Sequence, residues 1–361
     1  MYLYQKMYDD LLLKIREGQY ANGKLLPTER ELMQRYSVSR ITAKKVFELL
    51  LRDGLIARTP GKGTALVPQQ PVKKERDKKL IGTIFCDIGA AFGQQILLGQ
   101  EAQAAQLGYK LLFQRSMDMP EKEDRLIQEL LEYGVSGILV QNCHGDYSKS
   151  LLRLYCDDFP VVSIDRGTQR IPIPCVTSDH HAAAVTAAEH LFSLGHRNIL
   201  YLSCAVEGTT TLSDRLEGFH QAYANRRLQP DGCRFLLNMQ SPVSPQESAV
   251  EADLISIHGA LQENPGITAV FATERFLASL AQRAVSAMDK KIPADYSLIC
   301  FDYEETFRDV PLLTHLAQNQ YQIGVESVKL LDRMIAGEAV ETKVILPAKL
   351  VQGQSTAGVF L

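Results

Sequence analysis

The seven cysteines of this 361-residue chain form no C-x-x-C pair. They are scattered along the sequence, as Cys86, Cys143, Cys156, Cys175, Cys204, Cys233 and Cys300. Such spacing is typical of buried free thiols rather than of disulfides or metal ligands. His180, His181 and His196 have no acidic or cysteine neighbour at metal-ligand spacing, so core or surface histidines are expected. The sequence therefore predicts no metal site and no bound cofactor.

The sequence also lacks a secretion signal and a membrane span. Asp9 and Asp10 lie where a signal peptide needs an apolar core. No later apolar run approaches the length that crosses a bilayer. We expect a cytoplasmic protein, and a secreted transport binding protein is disfavoured.

Common catalytic signatures are absent as well. The chain has no nucleophile elbow, no P-loop and no glycine-rich dinucleotide fingerprint. A sugar- or nucleoside-processing enzyme that uses an acidic cleft stays open as the alternative function. Turnover in a panel of sugars would favour that alternative.

Positive charge is concentrated at the amino terminus. The whole chain has a net charge of −3, with 45% hydrophobic and 22% charged residues, which is typical of a globular protein. Residues 1–79 contain 17 Lys and Arg against 9 Asp and Glu, a net +8, which leaves 22 against 33, or −11, for the rest. Only the first part is therefore expected to meet a polyanion such as DNA.

Residues 26–67 carry the strongest motif. Thr28 and Glu31 form a predicted capping box that begins a short helix at Glu29. Ser39 is placed to cap a second helix over residues 40–53. Two β-prone runs then flank the Pro-Gly-Lys-Gly turn at residues 60–63, which predicts a hairpin. This order predicts a winged helix-turn-helix domain over residues 1–68.

Basic and polar side chains lie on the first turns of the second helix of the motif. They are Arg40, Thr42, Lys44 and Lys45. Such side chains can hydrogen-bond base edges or phosphates in the major groove, and a helix N-terminus favours phosphate. We expect this helix to enter DNA, with Lys62 at the hairpin tip reaching a phosphate or the minor groove.

In its order and spacing this stretch resembles the DNA-binding domain of the GntR family of bacterial transcription regulators. The resemblance implies DNA contacts at Arg30, Ser39, Arg40, Thr42, Lys44, Gly61 and Lys62. Lys44 lies where the family often has Arg, and Lys lacks the bidentate reach of Arg to guanine. The base that is read at this position therefore stays open.

Residues 69–79 are rich in charge and read as a linker, and a hinge that DNA orders is the alternative. From residue 80 onward, apolar β-prone runs alternate with amphipathic helical stretches. The predicted strands are 81–86, 110–114, 137–141, 161–164, 198–203, 269–272 and 298–301. This alternation predicts α/β architecture with two doubly wound lobes of parallel sheet over residues 80–361.

Polar residues follow several of these strands. They include Asp87, Phe92, Asp165, Arg166, Glu274, Arg275 and Asp302, and Arg215 begins a predicted helix. Ligands bind at the carboxyl ends of strands in such folds. Carboxylates, arginines and one aromatic ring suit a sugar, because its hydroxyls donate and accept while its C–H face stacks on the ring.

Residues 80 to about 356 resemble the effector-binding core of the LacI/GalR family, which shares its two-lobed fold with periplasmic sugar-binding proteins. The matching segments are 81–82, Gly99, 161–166, Leu191, 194–197, 215–219, 292–293, 301–302, 311–314, Gln318 and 355–356. The resemblance implies a first lobe at about 80–165 and 319–337, and a second at about 178–308 and 341–361. The implied ligand contacts are Phe92, Asp165, Arg166, Arg215, Glu274, Asp302 and Gln318.

One departure from the LacI/GalR pattern follows the strand at residues 269–272. The family commonly has Asn-Asp there, and this chain has Glu274 and Arg275. Two interpretations stay open. Glu274 favours a ligand rich in hydrogen-bond donors, or Arg275 pairs with Glu274 and the two residues are structural.

A GntR-like head on a LacI-like core is similar to the arabinose-responsive repressors of the GntR family. The pairing predicts a transcription regulator that binds a pseudo-palindromic operator as a homodimer. Its expected effector is a monosaccharide such as a pentose, which closes the cleft between the lobes and alters DNA affinity. The direction of that change stays open, and relief of repression is the commoner behaviour in the family.

Overall fold

The computed structural model describes most of the chain. The described residues are 3–16, 19–20, 25–59, 63–67, 79–143, 148–168, 170–206, 208–242, 246–303 and 312–359. Among them, no helix combines the length and the apolar composition that crossing a bilayer requires.

The amino-terminal domain has three helices and a hairpin within the described residues. The elements are α1 (Leu3–Arg16), α2 (Glu29–Tyr36), α3 (Arg40–Arg52), β1 (Ile56–Thr59) and β2 (Gly63–Leu66). The predicted capping box is present, because the Thr28 hydroxyl accepts from the Glu31 amide and the Glu31 carboxylate accepts from the Thr28 amide. Ser37 turns the chain in a left-handed conformation, and Ser39 caps α3. Strands β1 and β2 pair antiparallel, as the hairpin prediction requires.

Strands and helices alternate from residue 80 onward, as predicted. In chain order they are β3 (Leu80–Phe85), α4 (Gln94–Gln106), β4 (Lys110–Arg115), α5 (Pro120–Glu132), β5 (Gly137–Val140), α6 (Lys149–Cys156), β6 (Val161–Ile164), β7 (Cys175–Ser178), α7 (His180–Ser193), β8 (Ile199–Leu202), α8 (Thr210–Asn225), β9 (Arg234–Leu236), α9 (Glu247–Glu263), β10 (Ala269–Ala272), α10 (Arg275–Ala287), β11 (Ser297–Phe301), β12 (Thr314–Ala317), α11 (Gln320–Ile335), β13 (Lys343–Leu346) and β14 (Lys349–Val351).

These strands form two six-stranded sheets, one in each lobe. The first has the order β13-β7-β6-β5-β3-β4 and is parallel throughout. The second has the order β14-β12-β11-β10-β8-β9, and only its edge strand β14 runs antiparallel. Their central strands are apolar and buried, as sheets covered by helices on both faces require. The predicted class, a winged helix-turn-helix followed by a two-lobed parallel α/β domain, is confirmed.

The chain crosses between the lobes three times. It passes from β7 to α7, from β12 to α11, and from β13 to β14. Helix α11 packs on the first lobe, where its Gly324 lies so close to α4 that an added Cβ would be 2.1 Å from the carbonyl oxygen of Ile96. The crossings place the carboxyl-terminal strand ends of the two sheets beside each other.

The predicted boundary of the second lobe is wrong for β13. Residues 341–361 were assigned to that lobe, yet β13 pairs in parallel with β7 in the first sheet. Val344 and Leu346 pack into the apolar cluster of the first lobe, beside residues of α11. Because α11 ends on the first lobe, the nearest unpaired edge for the next strand is that of β7.

Candidate functional site

Helix α3 presents its amino-terminal turns to solvent. The Arg40 side chain is 81% exposed, and Arg30, Lys44 and Lys45 are exposed as well. Ala43, Val46, Phe47 and Leu50 of the same helix are buried in the domain core. The apolar face therefore holds the helix to its domain while the basic face stays accessible.

Ser39 and Thr42 fix the start of α3. The Ser39 hydroxyl accepts from the Thr42 amide at 3.3 Å and lies 2.9 Å from the Thr42 hydroxyl. Two of the predicted DNA contacts thus also form the helix cap. Lys45 lies 4.3 Å from the centre of the Tyr4 ring, so α1 helps to orient this ammonium group.

Two further residues around α3 were missed from the sequence. Glu29 lies 3.9 Å from the Arg40 guanidinium and also pairs with Arg58 of β1, which joins the two helices to the hairpin. Ile41 is 81% exposed although it is apolar. No local sequence signal could have singled it out, because its exposure depends on which elements lie beside the helix. The predicted contacts Gly61 and Lys62 lie outside the described residues.

The second candidate site lies where the two sheets end. Asp165 directly follows β6 of the first sheet, and Asp302 directly follows β11 of the second. Both are buried, and both adopt left-handed backbone conformations, with φ of 62° and 56°. Such conformations are uncommon for residues with a Cβ and cluster at functional sites.

A buried chain of hydrogen bonds connects Asp165 to the second lobe. His180, the first residue of α7, lies 3.2 Å from the Asp165 carboxylate through Nε2. Its Nδ1 accepts from the Arg215 guanidinium at 3.2 Å. Because a guanidinium can only donate, the imidazole carries its hydrogen on Nε2 and donates it to Asp165. His180 was not among the predicted ligand residues, since β7, which ends two residues before it, was not predicted either.

Electrostatics in this chain favour a charged Asp165 and a neutral His180. Burial, and then the charge of Arg215, lower the pKa of His180. Burial alone would raise the pKa of Asp165, but the hydrogen bond from His180 and the charges of Arg215 and Arg166 outweigh it. The pKa of Asp165 is therefore below its usual value.

Arg215 is engaged on every side. Besides His180, its guanidinium donates to the Thr273 carbonyl oxygen. It also lies 3.9 Å from the centre of the Phe301 ring. These contacts hold His180 against the ends of β10 and β11 on the second lobe, and His180 in turn reaches Asp165 of the first lobe.

Arg166 lies in a second polar cluster on the first lobe. It pairs with Asp118 at 3.0 Å and lies 3.7 Å from the Cys86 sulfur. The sulfurs of Cys86 and Cys143 are 3.8 Å apart. The hydrogen bond with Cys143 and burial raise the pKa of Cys86, so the thiol stays protonated.

This cluster brings potential metal ligands together. Donor atoms of Cys86, Asp118 and Cys143 lie within 4.8 Å of one another. The Arg166 guanidinium contacts two of the three, and its positive charge would repel a cation. The donor set therefore does not fit a metal ion.

Four neighbouring strands of the second sheet end in a row of polar side chains. Leu202 of β8 is in register with Ala272 of β10, which is in register with Cys300 of β11. Two residues beyond these positions lie Cys204, Glu274 and Asp302, and Gln318 follows β12 beside them. We call these four residues the second-lobe wall.

Hydrogen bonds within the second-lobe wall are few but well defined. Cys204 donates to the Glu274 carboxylate at 3.4 Å. The Gln318 amide nitrogen donates to both oxygens of Asp302, at 3.2 and 2.9 Å, and Gln320 of α11 approaches the same carboxylate at 3.4 Å. Burial, against the effect of Arg215, raises the pKa of Asp302 to about 7.

Arg275 is engaged away from Glu274. It donates to Ser279, one turn along its own helix, and lies 5.4 Å from the centre of the Tyr303 ring. The interpretation in which Arg275 neutralises Glu274 therefore loses its support. Of the predicted ligand residues, Glu274, Asp302 and Gln318 lie in the second-lobe wall, and Arg275 does not although it directly follows Glu274.

Phe92 lies half-buried in the loop between β3 and α4. Gln320 holds this loop, because its side chain accepts from the Gly93 amide at 2.9 Å and donates to the Ala91 carbonyl oxygen at 2.8 Å. The same side chain approaches Asp302. Gln320, which was not predicted, thus connects the loop of the predicted aromatic residue to the second-lobe wall.

Two protein-family models match the chain, one over the amino-terminal domain and one over part of the two-lobed domain. Residues 3–66 match the model of the bacterial regulatory proteins of the gntR family. Residues 188–356 match the model of a periplasmic binding protein-like domain.

Similar proteins are regulators of transcription. An arabinose metabolism transcriptional repressor of Geobacillus stearothermophilus is 26% identical, over 94% of this chain and 92% of that protein. Among solved structures, a LacI family transcriptional regulator from Enterococcus faecium with bound ribose has a TM-score of 0.64 and 24% identity, covering 78% of this chain and 100% of that chain. A dimeric Lac repressor has a TM-score of 0.65 and 24% identity, covering 77% of this chain and 99% of that chain.

Proposed function

We propose that this chain is a repressor whose affinity for its operator is controlled by a small sugar-type effector. It joins a GntR-type helix-turn-helix domain to a periplasmic-binding-protein-like domain. It is a DNA-binding regulator of transcription, and an enzyme that processes sugars or nucleosides is not supported, since its relatives are repressors. The observation that carries the proposal is the pairing of an exposed basic recognition helix with a buried polar site between two lobes.

The recognition helix is α3. Its exposed start carries Arg40 and Lys44 one turn apart, with Ile41 beside them. Arg and Lys hydrogen-bond base edges, and an aliphatic group contacts the methyl group of thymine. We assign base contacts to these three residues.

The other predicted residues hold the duplex backbone. Ser39 and Thr42 lie at the amino terminus of α3, where free amides and the helix dipole favour a phosphate. Arg30, Lys45 and the wing residues Gly61 and Lys62 are assigned to phosphates or to the minor groove. Contacts of this kind position the domain without reading sequence.

The effector occupies the cleft between the strand ends. Phe92 would stack on the ring of the effector, and polar contacts would come from both lobes through Asp165, Arg166, Arg215, Glu274, Asp302 and Gln318. The similarity to a repressor of arabinose metabolism and to a ribose-bound regulator supports a monosaccharide of the pentose class.

Ligand control follows from contacts that cross the cleft. Asp165 meets His180, Gly167 donates to Thr210 at 3.1 Å, and Gln320 approaches Asp302. An effector that prefers one lobe arrangement shifts these contacts. It can change operator affinity only by as much as it discriminates between the two arrangements.

The proposal includes a homodimer in the cytoplasm. A dimeric Lac repressor has the same fold as the core, and two heads would match a pseudo-palindromic operator. The cytoplasm is where a bacterial operator is found. Repression that is relieved by the effector is the expected direction.

The test begins with an operator selected from a random-sequence DNA library by the full-length protein. Arg40→Ala should weaken binding to this DNA by about 1–3 kcal/mol, or roughly fivefold to 150-fold, in a gel-shift assay. The matched control is Arg283→Ala, which removes an exposed arginine from α10. Equal operator affinity in both variants would refute the assignment of the recognition helix.

A further inference from the structure

Hydrogen-bond acceptors outnumber available donors along the second-lobe wall. Glu274 and Asp302 contribute carboxyl groups, and Gln318 contributes an amide oxygen. Gln318 is only 8% exposed, and its Oε1 has no hydrogen-bond partner, because the same amide uses its nitrogen on Asp302. A buried acceptor without a partner costs stability unless a ligand supplies the donor.

Two buried hydroxyl groups next to the wall are also without partners. Thr273 directly precedes Glu274, and Ser203 directly precedes Cys204, and both side chains are fully buried. Their unused hydrogen-bonding capacity lies at the same strand ends as the carboxyl groups. These hydroxyls are independent evidence that the row of strand ends is built to receive a polar ligand.

The arginines close to the second-lobe wall already have other partners. Arg215 donates to His180 and to the Thr273 carbonyl oxygen, and its guanidinium covers the Phe301 ring. Arg275 donates to Ser279 and covers the Tyr303 ring. Neither contributes a hydrogen bond to Glu274 among the described residues.

The first lobe does not supply a cationic partner for Glu274 or Asp302 among the described residues. Its Arg166 pairs with Asp118 at 3.0 Å. The described carboxyl groups around the cleft are Asp118, Asp165, Glu274 and Asp302, and the arginines in contact with them or with His180 are Arg166 and Arg215. On the second lobe, Glu274 and Asp302 have no ion pair with a Lys or Arg side chain among the described residues.

A neutral polyol would satisfy some of these acceptors but would leave the half-buried Glu274 carboxylate without a cationic partner. A buried charge is costly unless it is paired. Glu274 also contributes, after burial and Asp165, to the raised pKa of Asp302, which places the two carboxyl groups within electrostatic reach of each other. A ligand cation between them would relieve this repulsion.

We propose that the effector is an amino sugar, a small polyol with a protonated amine, and that Glu274 selects it by binding the ammonium group against the second-lobe wall. This inference rests on the proposed function, since it specifies the ligand class of the same cleft. The ammonium donates to the Glu274 carboxylate and to its neighbours Asp302 and Gln318. Glu274 is thus the specificity-determining residue of the site.

The test measures binding of matched sugar pairs to the full-length protein by calorimetry at constant pH. The pairs are D-galactosamine with D-galactose, D-glucosamine with D-glucose, and an aminodeoxy arabinose with L-arabinose. In each pair the two sugars differ at a single substituent. At least one amino sugar should bind about tenfold to a hundredfold more tightly than its parent, the range of a charge-assisted hydrogen bond.

Glu274→Gln keeps the shape of the side chain and removes its charge. It should abolish the preference for the amino sugar over its parent sugar, because the ammonium group loses its charged partner. Glu251→Gln, an exposed position on α9, is the matched control and should keep the preference. Operator binding without effector reports whether each variant is folded.

The outcomes separate the inference from the proposed function. Parent sugars that bind at least as tightly as their amino partners, or a preference that survives Glu274→Gln, would overturn the amino-sugar inference and leave a neutral-sugar regulator standing. If no sugar of either class binds or alters operator affinity, the proposed function fails and the inference fails with it.

Discussion

Asp165 and Asp302 occupy matching places in the two lobes and have opposite electrostatic behaviour. Each directly follows the fourth strand of its sheet, counted from β4 or from β9, and each has a left-handed backbone. The pKa of Asp165 is lowered because His180 donates to it. The pKa of Asp302 is raised to about 7, because burial outweighs Arg215 and Gln318.

The difference shows that topology places a side chain and that its neighbours decide its charge. The acids of the first lobe have partners, since Asp118 pairs with Arg166 of the same lobe and Asp165 accepts from His180 of the second lobe across the cleft. On the second lobe, the side-chain donors to Asp302 within the described part of the chain are the amides of Gln318 and Gln320, and the side-chain donor to Glu274 is the Cys204 thiol. Asp118 and Asp165 thus have a guanidinium or an imidazole partner, whereas neither Glu274 nor Asp302 has one among the described residues.

Removing Arg215 should have the largest effect on stability and on effector binding, because its partners lie beside Asp165 and Asp302. Arg215→Ala leaves the Thr273 carbonyl oxygen and His180 without their donor and takes a stabilising charge from Asp165. Loss of one partner from a buried ionic network costs about 3–5 kcal/mol. We expect a large drop in the melting temperature of the core and loss of effector binding, measured by calorimetric unfolding and titration.

Arg283→Ala, at an exposed position on α10, is the control for Arg215→Ala. Operator binding by the amino-terminal domain should persist in both variants at temperatures where the core is folded. Retained effector affinity in Arg215→Ala would mean that the effector site does not depend on the contact of Arg215 with His180.

Neutralising Asp302 should remove a pH dependence that Asp165 does not produce. Because the pKa of Asp302 is raised above its usual value of 3.8, the folded protein keeps this proton up to about pH 7 while the unfolded chain releases it. Stability therefore falls as pH rises between these values. Asp302→Asn should flatten that decline in denaturant unfolding measured from about pH 4 to pH 8.

Effector binding should respond to the same proton. A ligand that donates to Asp302 prefers the carboxylate, so its affinity should rise roughly tenfold between about pH 6 and pH 8, and this rise should be absent in Asp302→Asn. Asp165→Asn is the contrasting variant. Since the pKa of Asp165 is lowered, its stabilising effect is present above its usual pKa and is lost only in acid. A flat wild-type profile from pH 6 to 8 would contradict the raised pKa of Asp302.

Local signals made most of the amino-terminal domain predictable. The Thr28 and Glu31 capping box and the Ser39 cap depend on residues three apart in sequence, and both are present. Exposure of Ile41 depends on the absence of a neighbouring element, which no local pattern reports.

In the core, the sequence predicted seven of the twelve described strands and the polar residues that follow several of them, but it missed β7, β9, β12, β13 and β14 and did not show how those polar residues pair. Apolar runs such as β6 and β10 are fully buried, so their boundaries were recovered without error. Strand β13 alternates between exposed and half-buried residues at a sheet edge, and its lobe was assigned wrongly. The bond between Asp165 and His180, and the engagement of Arg275 with Tyr303, arise from tertiary packing across residues distant in sequence or on different turns.

The smallest effect is expected from removing the ion pair between Asp118 and Arg166 on the first lobe. Arg166 and Asp118 are 25% and 30% exposed, so solvent screens their ion pair, and pairs of this kind contribute about 0.2–1 kcal/mol. Asp118→Asn should therefore weaken effector binding by less than about fivefold in calorimetric titration, with the melting temperature nearly unchanged. If the loss instead matched that of Glu274→Gln, Asp118 would be as important to the ligand as the second-lobe wall. The carboxyl groups of the first lobe would then need the ligand as much as those of the second, and the electrostatic contrast between the two lobes would not hold.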